Sequence, residues 1–183
     1  MKTLKNALLL TALVICSIAA NAQKNQKKEK ELAKIDAIKE AIEHKRFVFI
    51  PEYARSDNGK DILVNDESYR SKNDYLIFKD GIITSYLPQV RRGALVTSAT
   101  TSKINEIQFQ SQKYELTTTE KKGRYTLVIK LLDSRDVREL IMDITPDGKY
   151  STIRLLYYRY EATNLTGRIK PLGNDMPGND TGE

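Results

Sequence analysis

Three consecutive segments in the C-terminal half, in which apolar and polar residues alternate, constrain the fold of this chain more than any other feature. They are residues 124–132, 137–145 and 149–160, and they are rich in Val, Ile, Leu, Thr and Tyr. These residue types favour strands, and a period of two residues places alternate side chains on opposite faces of a sheet. The sequence therefore predicts three neighbouring strands with one buried face.

Short turn sequences join these segments, so the strands are predicted to be antiparallel. The first connection is residues 133–136, and the second is Pro146-Asp147-Gly148. Proline presets a turn backbone, and glycine accepts a positive φ. Earlier in the chain, Asp80-Gly81 and Lys122-Gly123 separate further alternating segments and are typical of tight hairpins.

An amphipathic helix is predicted over residues 27–44, which contain neither Gly nor Pro. Its apolar residues recur at spacings of three and four, while Lys and Glu occupy most other positions; they are Leu32, Ile35, Ile38 and Ile42. Such a stripe lies on one face of a helix and has to be covered. The predicted sheet is the nearest cover, and a partner protein is the alternative.

Other segments with strand character lie between this helix and the C-terminal hairpins. They are residues 47–50, 62–64, 69–79, 82–87, 104–110 and 113–121, whereas 89–103 predict a long loop or a weak edge strand. Because helix and strands are segregated along the chain, we predict an α+β fold. It consists of one N-terminal helix packed on a strongly curved antiparallel sheet of about seven or eight strands, similar to a half-open barrel. The predicted single globular domain covers residues 23–170, and the Gly-, Pro- and Asp-containing residues 171–183 are predicted to be a disordered tail.

The first 22 residues have the pattern of a secretory signal peptide. Lys2 and Lys5 precede an apolar run at 7–20, and Ala20-Asn21-Ala22 matches a small-x-small cleavage site. The run is short for a retained membrane anchor. Lipidation of Cys16 would require small residues before it, but residues 13–15 are bulky. We therefore predict cleavage after Ala22, no membrane span afterwards, and a periplasmic or extracellular location.

Removal of this leader changes the composition that matters for function. It takes away Cys16, the only cysteine of the 183-residue chain, so the mature protein cannot form an internal disulfide. It also takes away two of the 30 basic residues and none of the 24 acidic ones, so the net charge falls from +6 to +4. The basic excess is concentrated at residues 24–30. For an exported protein this predicts a solvated helix start and no nucleic-acid partner.

Several of these features together resemble an uncharacterised bacterial family, domain of unknown function 4251. The resemblance lies in the leader, the Lys/Glu-rich helix, Phe47-Val48-Phe49, Ser85-Tyr86-Leu87-Pro88 and Ile107-Gln108-Phe109, and it covers roughly residues 41–167. It implies an exported protein of a Gram-negative phylum without an assigned activity. This chain differs after the proline, with Gln89 to Gly93 in place of an aromatic, Gly-rich loop, and at Tyr157 to Tyr160 in place of an Asn/Arg-rich turn.

The residues that enzymes use are nearly absent from the mature sequence. It has no cysteine, a single histidine, His44, at the predicted end of the helix, and no Gly-rich phosphate loop. Four carboxylates lie close in sequence: Asp133, Asp136, Glu139 and Asp143. A pair of them could transfer protons or bind calcium, but Asp133 and Asp136 stand in a turn, where aspartate stabilises the backbone. We predict no catalytic residue, no metal and no cofactor.

The candidate binding residues cluster near the end of the last predicted strand. They are Arg154, Tyr157, Tyr158, Arg159 and Tyr160, joined by Arg91 and Arg92 in the predicted loop. Tyrosine offers a rigid amphipathic surface and arginine a fixed fork of donors, a combination suited to protein, peptide or sugar ligands. Tyrosine is also an ordinary strand residue, so structural packing and ligand binding both remain open interpretations.

Two functions are compatible with these observations. The first is a non-catalytic secreted or periplasmic binding or assembly module of the bacterial cell envelope, whose partner is another envelope protein or a small ligand in the concavity of the sheet. The second is a carboxylate-based hydrolase that acts on envelope polymers. The lack of nucleophiles and metal-ligand clusters favours the first.

The leader generates a direct test. Intact-mass measurement of the exported protein is expected to give a chain that begins at Gln23 and carries no lipid, because Ala22 completes the cleavage signal. A mass that retains residues 1–22, or a lipid adduct on Cys16, would contradict this prediction.

Overall fold

The computed structural model describes residues 26–55, 61–64, 74–91, 94–95 and 106–173. The predicted leader and residues 174–183 of the predicted tail lie outside this range. No helix in the described ranges is long and apolar enough to cross a membrane.

The chain divides into two compact units, Met1–Asp36 and Ala37–Glu183. In the first unit, residues 26–36 are helical and mostly exposed, and the side chain of Leu32 is 60% exposed. The second unit holds the continuation of this helix, which we call α1 and which ends at residue 43. The helix thus spans 26–43, one residue earlier at each end than predicted. Within the second unit, Ile38 and Ile42 of the predicted stripe are buried.

All strands of the described residues lie in the second unit. In the described residues they are β1 Phe47–Arg55, β2 Asp61–Leu63, β3 Tyr75–Lys79, β4 Ile82–Pro88, β5 Val90–Arg91, β6 Ala94–Leu95, β7 Glu106–Ser111, β8 Tyr114–Lys121, β9 Arg124–Leu131, β10 Val137–Ile144, β11 Ser151–Tyr157 and β12 Thr163–Pro171. The small β5–β6 hairpin occupies part of the segment predicted as a loop or weak edge strand.

The predicted fold class is confirmed: one helix accompanies a nearly closed antiparallel barrel. Nine described strands follow one another in the order β7-β4-β3-β1-β12-β11-β10-β9-β8, and β2 adds to β1. This is more than the seven or eight strands predicted, and the added strand β12 is central. It pairs with β1 over Phe47↔Pro171 to Arg55↔Asn164, and with β11 on its other side.

β12 has a weak sequence signal for a physical reason. Its buried face carries only two large apolar side chains, Leu165 and Ile169, with Gly167 between them. A Cβ atom on Gly167 would collide with the backbone of Ile50 and Pro51, where β1 bulges. The close approach of β12 to β1 therefore requires glycine at position 167, and glycine lowers the strand propensity of the segment.

The ends of the strand order meet at one corner. β7 pairs with β4 up to Ser111, and only Gln112 and Lys113 separate it from β8, which pairs with β9. At this corner the Leu132 amide donates to the Lys113 carbonyl over 2.8 Å. A single run of chain therefore passes from one edge of the sheet to the other, which is why the barrel is nearly closed.

The interior is filled with apolar side chains. Among the largest that are fully buried are Phe47, Phe49, Phe78, Leu76, Leu127, Ile129, Leu140 and Met142. The rings of Phe47 and Phe78 stack with centroids 5.4 Å apart, and Tyr114 meets Phe78 edge-on at 5.5 Å. Burial of each such side chain contributes about 1.5–3 kcal/mol. Ile38, Ala41 and Ile42 of α1 belong to the same cluster.

The predicted turns are present. Asp80 and Gly81 have φ values of 51° and 79°, and Lys122 and Gly123 have 55° and 74°, so both pairs form the tight hairpin in which two residues have positive φ. Gly148, between β10 and β11, has φ 71°. A Cβ atom there would lie 2.6 Å from the Ile169 carbonyl oxygen and 2.8 Å from Ile38 Cδ1. Gly148 thus allows α1 to approach β12.

Two glycine substitutions separate backbone strain from packing. Gly81→Ala introduces a side chain at positive φ with no atom within 4 Å, and we expect a loss of about 1–2 kcal/mol. Gly148→Ala has the same conformational cost and adds a clash with backbone and with Ile38, so a further loss of about 1–3 kcal/mol is expected. Urea unfolding followed by circular dichroism measures the difference. Equal losses in the two variants would show that the α1 contact with Gly148 is not tight.

Candidate functional site

An open groove of about 480 Å³ runs between β7 and the connection from β9 to β10. Its lining residues come from three parts of the sheet: Gln89, Ile107, Gln108, Phe109 and Gln110; then Asp133, Ser134, Arg135, Asp136 and Val137; then Tyr157 and Tyr160. Among the described strands β7 pairs with β4 alone, and residues 107–110 of β7 line this groove. Asp133, which lines the groove, also accepts hydrogen bonds from the amides of Gln112 and Lys113 at the corner.

The floor of the groove is apolar and continuous with the core. Ile107 and Val137 are buried, and Phe109 and Tyr157 are half-buried and pack against the core cluster. Alternation along β7 leaves Gln108 exposed on the other face of the strand. The site therefore combines a rigid apolar base with polar side chains around it.

Two of the predicted tyrosines form one wall. The Tyr157 hydroxyl donates to Thr163 Oγ1 over 3.1 Å, and the ring of Tyr157 meets that of Tyr160 edge-on, with centroids 6.2 Å apart. Tyr160 is 53% exposed. Tyr158 donates its amide to the Asp136 carbonyl and is 60% exposed. The structure thus brings the Tyr157–Tyr160 pair against the turn that contains Asp133 and Asp136.

Asp133 fixes the corner of the barrel. Its Oδ1 accepts from the Ser111 hydroxyl at 2.6 Å, and its Oδ2 accepts from the amides of Gln112 and Lys113 at 2.9 and 3.0 Å. These bonds, that from Ser111 foremost, hold the pKa of Asp133 below its ordinary value and outweigh the opposing effect of desolvation. The carboxylate is ionised at neutral pH, and both of its oxygens are engaged. It is suited to support the site rather than to supply a proton.

The rim carries both signs of charge. Arg135 and Asp136 are exposed in the same short connection, where the Ser134 hydroxyl oxygen accepts from the Val137 amide over 3.2 Å. That hydrogen bond fixes the turn in which both charged residues lie. An arginine and a carboxylate next to aromatic rings can contact polar backbone and charged side chains of a ligand at the same time.

The other predicted site residues are not gathered here. Arg154 lies on the opposite face of β11 to Tyr157, because the two residues are three positions apart on a strand and alternate positions face opposite sides. It borders a second open groove, of about 410 Å³, with Asp143 and Asn164. Arg159 is exposed beyond β11. Arg91 lies in β5, and Arg92 lies outside the described residues.

The carboxylates singled out by sequence also separate. Asp133 and Asp136 border the first groove and Asp143 the second, where Asp143 Oδ1 accepts from the Thr126 hydroxyl at 2.7 Å. In the described ranges, no group of three or more His, Cys, Asp or Glu residues is placed to hold a metal ion.

Sequence reasoning missed the β7 side of the groove. Ile107 and Phe109 were visible only as parts of an alternating strand, and Arg135 only as a turn residue. Their meeting depends on the pairing of β7 with β4 and on the corner at Gln112, neither of which has a local signature.

The comparisons with known proteins agree with the resemblance identified in the sequence. A family model described as Domain of unknown function (DUF4251) matches residues 27–169. The crystal structure of a DUF4251 family protein from Bacteroides eggerthii, solved at 1.95 Å resolution, is similar with a TM-score of 0.58 and 13% identity, over 78% of this chain and 91% of that one. At this identity the likeness concerns the fold alone. No curated protein matches the chain.

The hydrogen bonds of Asp133 generate a stability prediction. Asp133→Asn keeps one acceptor oxygen and replaces the other with a donor that faces two amides, so we expect a loss of about 1–2 kcal/mol at pH 7, moderated by solvent exposure. Because folding lowers the pKa of Asp133, its contribution is present above the unfolded value, 3.8, and is lost as the pH falls through the folded value.

Urea unfolding at pH 7 and pH 3 tests both parts of this prediction. The stability of the wild type is expected to fall more between these pH values than that of Asp133→Asn. Asp136→Asn, in the same connection, is the matched control and is expected to behave like the wild type. A pH dependence that Asp133→Asn leaves unchanged would show that this carboxylate does not hold the corner.

Proposed function

Because the chain belongs to the DUF4251 family, whose activity is unknown, we propose from its own residues that it is a non-catalytic binding or assembly module exported to the bacterial cell envelope. The proposed ligand is another protein, bound in the groove between β7 and the β9–β10 connection. Export is proposed from the Lys2, Lys5 and Ala20-Asn21-Ala22 pattern of the leader.

One observation carries the choice of ligand. The described part of the barrel interior is occupied by its own side chains, including Phe47, Phe49 and Phe78, so a small apolar molecule in the concavity would have to displace the core. The open groove outside this core offers aromatic rings and charges of both signs. Half-exposed tyrosine beside arginine is characteristic of protein interfaces.

A carboxylate-based hydrolase is the second candidate, since Asp133 and Asp136 border the same groove. Glycoside hydrolysis requires one carboxyl group that stays protonated near neutral pH, through a raised pKa. In the groove, the hydrogen bonds from Ser111 and from the amides of Gln112 and Lys113 instead hold the pKa of Asp133 below its ordinary value. In addition, both Asp133 oxygens already accept hydrogen bonds from the corner. These observations favour the binding module.

Site-specific photo-crosslinking in the cell that makes the protein tests this proposal. A photoreactive phenylalanine analogue at Tyr160 is expected to give a discrete adduct with a second protein, because Tyr160 lines the groove and is 53% exposed. Tyr150 is the matched control. It is 75% exposed but lies in the β10–β11 connection, at the opposite end of β10, and is expected to give no such adduct.

Two results would contradict the proposal. The first is an equal adduct pattern at Tyr150 and Tyr160, which would show that the groove has no preferred partner. The second is turnover of a purified cell-wall glycan by the wild type that is lost in Asp136→Asn. That result would support the hydrolase.

A further inference from the structure

The outer edge of β8 is a second surface to consider, since none of the residues that line the groove belongs to β8. β8 stands at one end of the strand order and pairs with β9 along all eight of its residues, without a register shift. No other strand in the described ranges pairs with its second side. From Thr117 to Lys121 every side chain is exposed. Strand edges commonly carry proline or a bulge that blocks further pairing, and β8 has neither.

The β8–β9 hairpin determines which backbone groups face outward. Its loop is the two-residue turn Lys122-Gly123, so Lys121 and Arg124 form the hydrogen-bonded pair that closes it. Alternation then directs the amides and carbonyls of the odd-numbered residues to β9. The odd-numbered Lys113 fits this alternation, because its carbonyl accepts a hydrogen bond from the Leu132 amide, directly after β9. Leu116, Thr118 and Glu120 consequently present their amide and carbonyl groups to the outer edge.

We propose that this edge pairs with β8 of a second copy of the chain, antiparallel about a two-fold axis at Thr118. In this register Thr118 lies opposite its own counterpart, and Thr117 opposite Thr119 of the other copy. Glu115 then lies opposite Lys121, and the two-fold axis makes this pair twice. Threonine pairs and pairs of opposite charge are both favourable across antiparallel strands. The charges of Glu115 and Lys121 thus make this edge complementary to a second copy of itself.

The pairing of Glu115 with Lys121 is lost when the two strands are shifted relative to each other. When the axis is moved to Thr117, Lys121 faces Lys113 of the other copy, and when it is moved to Thr119, Glu115 faces Gly123. An axis at Glu120 places two glutamates together. Glu115 does contact Lys130 of its own chain, but at 3.7 Å and with both side chains more than half exposed, so it can also reach a cation across the interface.

Cysteine cross-linking of the exported protein tests the register. Thr118→Cys is expected to form an interchain disulfide under mild oxidation, since hydrogen-bonded antiparallel pairs have Cα atoms about 5.5 Å apart. Thr117→Cys is the matched control: its counterpart would be about 8 Å away, beyond disulfide reach, and little cross-link is expected. Efficient cross-linking at 117 but not at 118 would overturn the proposed register.

Sedimentation velocity of the same protein tests the pairing itself. The wild type is expected to dimerise, and Lys121→Glu to raise the dissociation constant about tenfold or more, because two attractions become repulsions. Lys122→Glu makes the same charge change in the turn and is expected to have a smaller effect. Combining Lys121→Glu with Glu115→Lys is expected to restore association.

Thr118→Pro gives a second route to the same answer. It removes an outward amide that makes no bond to β9, so the monomer is expected to keep its circular dichroism spectrum while the dimer is lost. A wild type that stays monomeric up to hundreds of micromolar would overturn the proposal. A dimer that persists in both Lys121→Glu and Thr118→Pro would do so as well, and would place the contact elsewhere.

Discussion

The architecture depends on the corner at which the sheet closes on itself. Without the passage from β7 to β8, the strand order would end in two unrelated edges and the interior would be open to water. Two consecutive backbone amides at this corner, those of Gln112 and Lys113, point at one carboxylate, and a serine hydroxyl completes its coordination. Hydrogen bonds to an ionised carboxylate are stronger than those to a neutral acceptor. Asp133 thus links the end of β7 to the β9–β10 connection, and it lines the groove beside this corner.

Much of the fold was predictable because its signals are local. Strands β9 to β11 and their connections were visible from alternation and from Gly148 and Gly123, and α1 from its apolar spacing. Strand β12 was not, because Gly167 serves a contact with β1 that lies more than a hundred residues earlier in sequence. The strand order also depends on long-range pairs such as Phe47↔Pro171, which no short pattern encodes. Short sequence patterns specify the individual helix and strands, whereas the order of the strands in the sheet depends on contacts between residues distant in sequence.

The candidate site was predictable to the same limited degree. Tyr157 and Tyr160 were identified from their residue type. They lie close together in the structure because both stand at or just after the end of β11. Arg154 was grouped with them by proximity in sequence, yet the alternation of a strand sends it to the other face. Asp133 was interpreted as a turn residue, and its hydrogen bonds support that interpretation. What sequence could not provide was the opposite wall at Ile107 and Phe109, because β7 reaches the groove only through the corner.

The pairing of the first long strand with the last has a consequence for the order of folding. β1 lies between β3 and β12. One of its two edges is therefore paired only when residues near Pro171 have been synthesised and are free to pair. Pairs so distant in sequence carry a large loop-closure cost, and chains dominated by them fold slowly. A nascent chain of this type therefore stays incompletely folded until its final strand is available. For the export that we propose, such a delay is an advantage, because no stable barrel forms before the chain has passed through the translocation channel.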